Sequence, residues 1–377
     1  MTENPGLLLT VAAFLLAIGP LVFVHELGHY YVGRWFGVKA EAFSIGFGRE
    51  LFGFTDRRGT RWKFGWLPLG GYVRFAGDMN PASQPSREWL QLPPEERAQT
   101  FQAKPLWQRA LIVLAGPATN ILVAILLLGG LAMVHGDRRT PPVVAAVQPG
   151  SAALAAGFQP GDRILEIEGR SVDTFDDLAR VVLYRPGETL SVQVERNGAR
   201  HGLSAVPATW YEVDRFGNRY PLGRLGIVAP PQVLVPVSLL EAPGVAVRQT
   251  GQILRLMTDT LGQVITGRRS AKELGGPLKI AQVSGEVATG GLVAFIGFLA
   301  LISINLGFIN LLPVPMLDGG HLFFYAVEAV RRKPVDAVVM EWAFRSGLLL
   351  LLSLMVFVTV NDLGSFGVWR GLAGLIG

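Results

Sequence analysis

Four stretches of this chain are apolar for long enough to cross a bilayer, which takes about 20 residues of helix. They run over approximately residues 6–36, 110–134, 292–312 and 342–360. Half of all residues are hydrophobic and only 17% are charged, a balance expected of several membrane spans rather than a soluble chain. The net charge of +5 is not read as a nucleic-acid signal, and no nucleic-acid partner is expected. The basic residues sit where cytoplasmic loops collect them. Lys39, Arg49, Arg57, Arg58, Arg61, Lys63 and Arg74 lie in the first loop, and Arg331, Arg332 and Lys333 in the last. The expectation is a multi-pass protein of a cytoplasmic membrane with both termini outside. Glu3, with no Lys or Arg ahead of the first run, argues for a retained helix rather than a signal peptide. Cysteine is absent, which excludes disulfides and cysteine-based zinc sites.

A hydrophilic region separates the second and third spans, from Gly136 to about Gly290, and the same charge rule puts it outside. Its first part alternates in short strand-like runs, "RILEIEG" and "TLSVQVERNG", around the helix-like "TFDDLARVVLY". A small α+β domain follows from that pattern. The later "VAVRQTGQILRLMTDTLGQVITG" reads as an amphipathic helix on or near the membrane. The polar, Pro-rich segment 80–99 reads as a loop.

The first span ends in "VFVHELGHYYVGRWFG", residues 22–37. His25 and His29 are four residues apart, so on a helix they share a face one turn apart and can hold one metal ion. Glu26 is turned about 100° from His25, close enough to reach water at the metal without ligating it. These residue types at this spacing are those of metal-assisted peptide hydrolysis, in which zinc lowers the pKa of water to about 7 and a carboxylate takes its proton. Ionisable groups at membrane depth are costly, which weighs against a chance cluster. A catalytic zinc needs a third protein ligand. Asp318 is the candidate, behind Pro313 and Pro315, which break the helix, and ahead of Gly319 and Gly320. If spans one and three both run inward, His29 and Asp318 arrive on the same side. His321 is a second candidate ligand, with an ordinary interfacial histidine as its favoured reading, and a plain loop turn remains the alternative for Asp318. Asn310 and Asn120 are polar side chains inside apolar spans, for which helix packing is an equal reading.

The motifs "HELGH" (25–29), "AGPATN" (115–120) and "NLLPVPMLDGG" (310–320), with the domain "VVAAVQPGSAALAAGFQPGDRILEIEGRSVDTFDDLARVV", resemble those of the site-2 protease family. These are intramembrane zinc metalloproteases, and the likeness is to their bacterial PDZ-containing branch. The resemblance implies one zinc held by His25, His29 and Asp318, with Glu26 as general base. It implies substrate contacts from Asn310 and from Gly70, Gly71 and Tyr72, and structural roles near the site for Asn120, Pro117, Pro313 and Pro315. The segment "GTRWKFGWLPLGGYVRFAGD" (59–78) suggests a hairpin with Gly70–Gly71 near a turn or bend. In the family such a hairpin dips into the membrane beside the active site; an anchoring role through Trp62 and Trp66 is the alternative.

The expected fold class is an α-helical polytopic membrane protein with four transmembrane helices, a membrane-associated β-hairpin and an inserted α+β PDZ domain. The expected division is a first transmembrane helix over 1–36 and a cytoplasmic loop with the hairpin over 37–106. A second helix covers 107–135, a periplasmic PDZ domain 138–230 and a periplasmic amphipathic-helix region 231–290. The third helix with its motif covers 291–330. Residues 331–377 hold a cytoplasmic loop, the fourth helix and a periplasmic C-terminus. The resemblance further implies substrates among single-pass membrane proteins, such as an anti-sigma factor or a remnant signal peptide, after an upstream site-1 protease has cut outside the membrane. Membrane lipid is the other expected partner. A PDZ receptor with a non-catalytic zinc site is the rival class, although three ligands plus a free glutamate favour catalysis.

Overall fold

The computed structural model describes residues 5–77, 91–213, 219–267 and 275–365. The chain forms two compact units: residues 1–131, 243–261 and 270–377 belong to one, and residues 132–242 and 262–269 to the other.

The first unit opens with helix α1 (Leu7–Trp35), then strands β1 (Ala40–Thr55) and β2 (Arg61–Phe75), the short helix α2 (Pro94–Ala98) and helix α3 (Leu106–His135). In α1 the buried positions Ala13, Ala17, Leu21, His25 and Gly28 recur every three or four residues, so one stripe faces protein. Leu7, Leu8, Val11, Leu15 and Leu16 remain exposed on the others, as befits a helix bathed in lipid. Among the described residues, four helices are long and apolar enough to cross a membrane: Leu7–Trp35, Leu106–His135, Leu292–Asn310 and Ala337–Gly364.

Strands β1 and β2 form an antiparallel pair that doubles back on itself. Residues 42–45 pair with 71–74 on one side and with 61–64 on the other, while 52–55 pair with 61–64. The hairpin therefore lies as four short segments side by side. The bend expected near Gly70–Gly71 lies inside β2, and the reversal between the two strands comes earlier. The chain reverses at 56–60, where Asp56 accepts hydrogen bonds from the backbone N–H groups of Arg58 (2.8 Å) and Thr60 (2.9 Å), an Asx turn. Gly70, with φ +103°, marks a bend inside β2 instead. The sheet is seated by a cluster of Tyr30, Val38, Phe43, Phe75, Phe101 and Ile112. The part of the 80–99 loop over 80–90 lies outside the described residues.

The second unit holds β3 (Asp137–Arg139), β4 (Ala146–Val147), helix α4 (Ala152–Ala155), β5 (Arg163–Ile167), β6 (Arg170–Ser171), helix α5 (Phe175–Leu183), β7 (Leu190–Arg196), β8 (Ala199–Ala205), β9 (Ala208–Val213), β10 (Arg219–Arg224), β11 (Ile227–Val228) and β12 (Val233–Val235). An antiparallel sheet of order β6-β5-β7-β8 is its centre. Alternate residues Leu190, Val192 and Val194 point inward and are wholly buried, joining Ile164, Leu178 and Leu225 in one core. Helix α5 starts in a capping box between Thr174 and Asp177. Asp162 is buried and accepts from Arg196 Nε (2.7 Å), Arg196 Nη2 (2.8 Å) and the Gln159 N–H (2.8 Å). The same guanidinium donates to the Gly157 carbonyl at 2.8 Å, which ties the loop "GFQPGD" to β7.

Helix α6 (Ala242–Ile265) follows, then α7 (Pro277–Thr289), α8 (Leu292–Asn310), α9 (Asp318–Arg331) and α10 (Ala337–Ser365). Helix α7 has no counterpart among the sequence expectations beyond a periplasmic helical region. It packs along α1, and its free N-terminal donors are met by Asp362 of α10. That carboxylate accepts from the N–H groups of Gly276 (3.1 Å) and Lys279 (3.0 Å). Arg109 of α3 pairs with Glu328 of α9 at 3.2 Å and lies 5.2 Å from the ring centre of Tyr325.

Burial alone would lift the Asp162 carboxyl, but hydrogen bonds from Arg196 and the Gln159 N–H outweigh it and hold the group below the usual carboxylate range. Its stabilisation is therefore complete above the unfolded value of about 3.9 and is lost as pH falls through the lower folded value. Replacing Asp162 by Ala is expected to cost roughly 2–3 kcal/mol. Hydrogen exchange of the β5 and β7 amides in the full-length protein measures this, and unchanged protection contradicts it.

Candidate metal centre

Two turns from its end, α1 carries His25 and His29 on its buried stripe, with ring centres 4.9 Å apart. The third group comes from the break between α8 and α9. Pro313 and Pro315 have no N–H to donate, so the chain leaves α8 at Asn310 and turns tightly. The Val314 N–H donates to the Leu312 carbonyl (2.7 Å) and the Leu317 N–H to the Val314 carbonyl (3.1 Å). Met316 takes φ +84°, a conformation costly for a side-chain-bearing residue. The turn sets Asp318 as the first residue of α9, and α10 presses on it where Gly347 meets Pro315 with no room for a side chain.

His25 Nε2 and His29 Nε2 are 3.2 Å apart. Asp318 Oδ2 lies 3.2 Å from the first and 3.5 Å from the second. With zinc–nitrogen bonds of about 2.0–2.1 Å, the edges of a tetrahedron are roughly 3.3–3.4 Å. The three donors are thus spaced as three corners of such a site. Their chemistry agrees. His29 Nδ1 is 2.8 Å from the Ile112 carbonyl, which can only accept, so Nδ1 carries the proton and Nε2 presents a lone pair. Lone pairs and a carboxylate converging in a buried place need a cation between them. Among the described residues His25, His29 and Asp318 are the cluster able to hold a metal ion, and the residues fit zinc.

The donors open on a cavity of about 320 Å³ that Glu26, Gly71, Tyr72, Asn310 and His321 also line. Glu26 lies beside the Val73 backbone N–H of β2. The strand carrying Val73 runs flush against α1, since a Cβ on Gly71 would come within 3.1 Å of Glu26 Cγ and 3.2 Å of Val22 Cγ1. Asn310 donates to the Leu306 carbonyl of its own helix at 3.0 Å while its side chain borders the cavity. Gly70 does not border it and sits against the ring of Phe47. His321 borders the cavity but lies outside the three-donor cluster; its ring packs 4.7 Å from that of Phe344. Pro117 lies inside α3, its carbonyl beside Gly307 of α8. Asn120 is fully buried and its amide nitrogen is 3.0 Å from His25 Nδ1.

Three participants carry no motif of their own. The Ile112 carbonyl and the Val73 N–H are backbone groups, which leave no residue-type signature. Gly116 faces both imidazoles: a Cβ there would overlap His29 Nε2 and come within 2.8 Å of His25 Nε2. Its signal in the sequence is its place inside "AGPATN".

Comparison with known proteins agrees with this geometry. The family model described as peptidase family M50 matches residues 13–354. A protein of Agrobacterium fabrum carrying a zinc-metalloprotease name is 47% identical over 360 residues, covering 94% of this chain and 96% of the relative. The metalloprotease MmpA of Caulobacter vibrioides is 36% identical, over 98% of this chain and 99% of its own length.

Substituting Gly116→Ala is expected to displace the imidazoles and weaken zinc binding by about 10-fold or more. Zinc per chain after dialysis against a weak chelator measures this; wild-type retention contradicts the close approach.

Proposed function

Because this chain belongs to peptidase family M50, we propose that Glu26 is its general base and that His25, His29 and Asp318 are its zinc ligands. The protein is a polytopic inner-membrane zinc metalloprotease that acts within the membrane on membrane substrates. The observation that carries the residue assignment is the trio of donors at 3.2–3.5 Å in the cavity that Glu26 also lines.

Zinc supplies a Lewis acid that polarises a peptide carbonyl and makes water acidic at neutral pH. The chain's own groups do the rest. Glu26 takes a proton from water and returns it to the departing amine. The Val73 N–H stands beside the carboxylate, which borders the cavity. A transmembrane substrate is helical, with its carbonyls shielded, and must be unwound before a peptide bond reaches the site. The strand 71–75 offers an edge for the unwound segment, pairing its backbone and presenting it extended. Gly71, Tyr72 and Asn310 are the contacts assigned to that segment, with Gly70 permitting the bend that brings the strand in. Asn120, Pro117, Pro313 and Pro315 keep the structural roles that the family pattern implies.

The positive-inside rule supports a topology with termini and PDZ domain outside and the metal site towards the cytoplasm. The domain division stated from the sequence is retained in this proposal. The inserted unit offers a groove of about 180 Å³ between α5 and residues 223–227, lined by Leu178, Val182, Leu225 and Ile227. An apolar groove beside a strand suits an apolar chain end. It supports a substrate whose outside part has been cut by an upstream site-1 protease, with an anti-sigma factor or a remnant signal peptide as examples.

Glu26→Gln is expected to keep zinc near one per chain and to lower turnover of a reconstituted single-pass substrate by about 10²–10⁴-fold; turnover near wild type removes Glu26 as base. Asp318→Ala is expected to lose zinc, and unchanged stoichiometry points to His321 in its place. Placing Gly or Pro in the substrate's membrane helix is expected to speed cleavage in the same vesicles, whereas indifference to such residues contradicts the unwinding step.

A further inference from the structure

We propose that Asn120 is a positioning residue for the zinc site: its side-chain carbonyl accepts the Nδ1–H of His25 and so fixes the tautomer whose Nε2 is free to bind metal. The inference rests on His25 being a ligand, as proposed above.

An imidazole that offers Nε2 to a cation carries its proton on Nδ1, so the partner of Nδ1 must be an acceptor. His29 meets this requirement with the Ile112 carbonyl at 2.8 Å. For His25 the group in reach is the Asn120 amide at 3.0 Å. As placed, the amide nitrogen faces Nδ1, and Oδ1 is buried with no hydrogen-bond partner. Nitrogen facing a protonated Nδ1 would set donor against donor. The two ends of an amide have almost the same shape, and a half-turn puts Oδ1 where the nitrogen stands. Metal ligation by Nε2 selects that orientation, because only then does Nδ1–H have an acceptor.

The surroundings hold Asn120 for this task. It is fully buried, and its backbone carbonyl accepts from Ser303 Oγ of α8 at 2.7 Å, which anchors that turn of α3. Ile112, Gly116 and Asn120 stand at four-residue intervals, so they lie on one face of α3. In order they present a carbonyl to His29, a gap that admits both rings, and an amide to His25. Helix α3 thus backs both imidazoles from one face, and "AGPATN" becomes the outer shell of the metal site. Groups of this kind orient the ring and raise its basicity as a ligand.

The test is the zinc dissociation constant of the full-length protein in detergent, by competition with a chromophoric chelator, with cobalt(II) spectra reporting the ligand set. Asn120→Leu is expected to weaken zinc binding by about 10- to 100-fold. Asn120→Asp keeps the acceptor and loses the donor, and is expected to bind zinc as tightly as wild type or tighter, with an unchanged cobalt spectrum. Wild-type affinity in Asn120→Leu overturns the inference. So does a loss of about 10-fold or more against wild type in Asn120→Asp, and this second result decides the matter even where the leucine variant does not fold. His25→Ala serves as the control: loss of zinc there alongside wild-type affinity in Asn120→Leu removes Asn120 alone. Wild-type affinity in His25→Ala removes the ligand assignment and this inference with it.

Discussion

Three electron-pair donors held together in a buried place are a liability unless a cation joins them, and that constraint organises the membrane unit. Removing a carboxylate from water costs several kcal/mol even after relaxation, and two imidazole nitrogens at 3.2 Å add repulsion if both present lone pairs. Metal binding turns this cost into cohesion, because the same ion cross-links α1 to the start of α9. The surrounding features support that arrangement. Gly116 lets α3 lie against the rings, and the Ile112 carbonyl settles the proton on His29. The paired prolines free the chain to turn just before Asp318.

Glu26 sits one residue from His25 yet is governed by a different element. Its neighbours are the Val73 N–H and Gly71 of β2, so the proposed base is set by the sheet while the proposed metal ligands are set by the helices. The strand that fixes Glu26 is the same strand whose edge is assigned to the substrate in the proposal above. Base and scissile bond are then referred to one piece of backbone, which suits a reaction that depends on their separation to within about 1 Å.

Much of this was legible in the sequence because its signals are strong for physical reasons. Apolar runs of about 20 residues have few other uses, and His25, Glu26 and His29 at helical spacing inside such a run are too costly to be idle. The alternation in "TLSVQVERNG" gives β7 directly, since Leu190, Val192 and Val194 face the core. The sequence was least informative where backbone does the work. The Gly70–Gly71 pair signals the turn or bend it makes inside β2, whereas the reversal between the strands, formed by Asp56 through two backbone donors, has no such signal. Helix α7 starts with Pro277 behind Gly276, a local start signal, but the carboxylate that meets its N-terminal donors is the distant Asp362, which no local pattern reveals.

The position of Asp318 also has a meaning for the life of the molecule. His25 and His29 enter the membrane with the first helix, whereas their partner follows almost at the end of the chain. The loop that aims Asp318 is buttressed by Pro315 against Gly347 of α10, and that helix also holds the start of α7 through Asp362. A growing chain therefore holds an incomplete ligand set until Asp318 has been made. The turn that aims Asp318 gains its brace later still, when the helix carrying Gly347 packs against Pro315, so the site is assembled from segments made far apart in time.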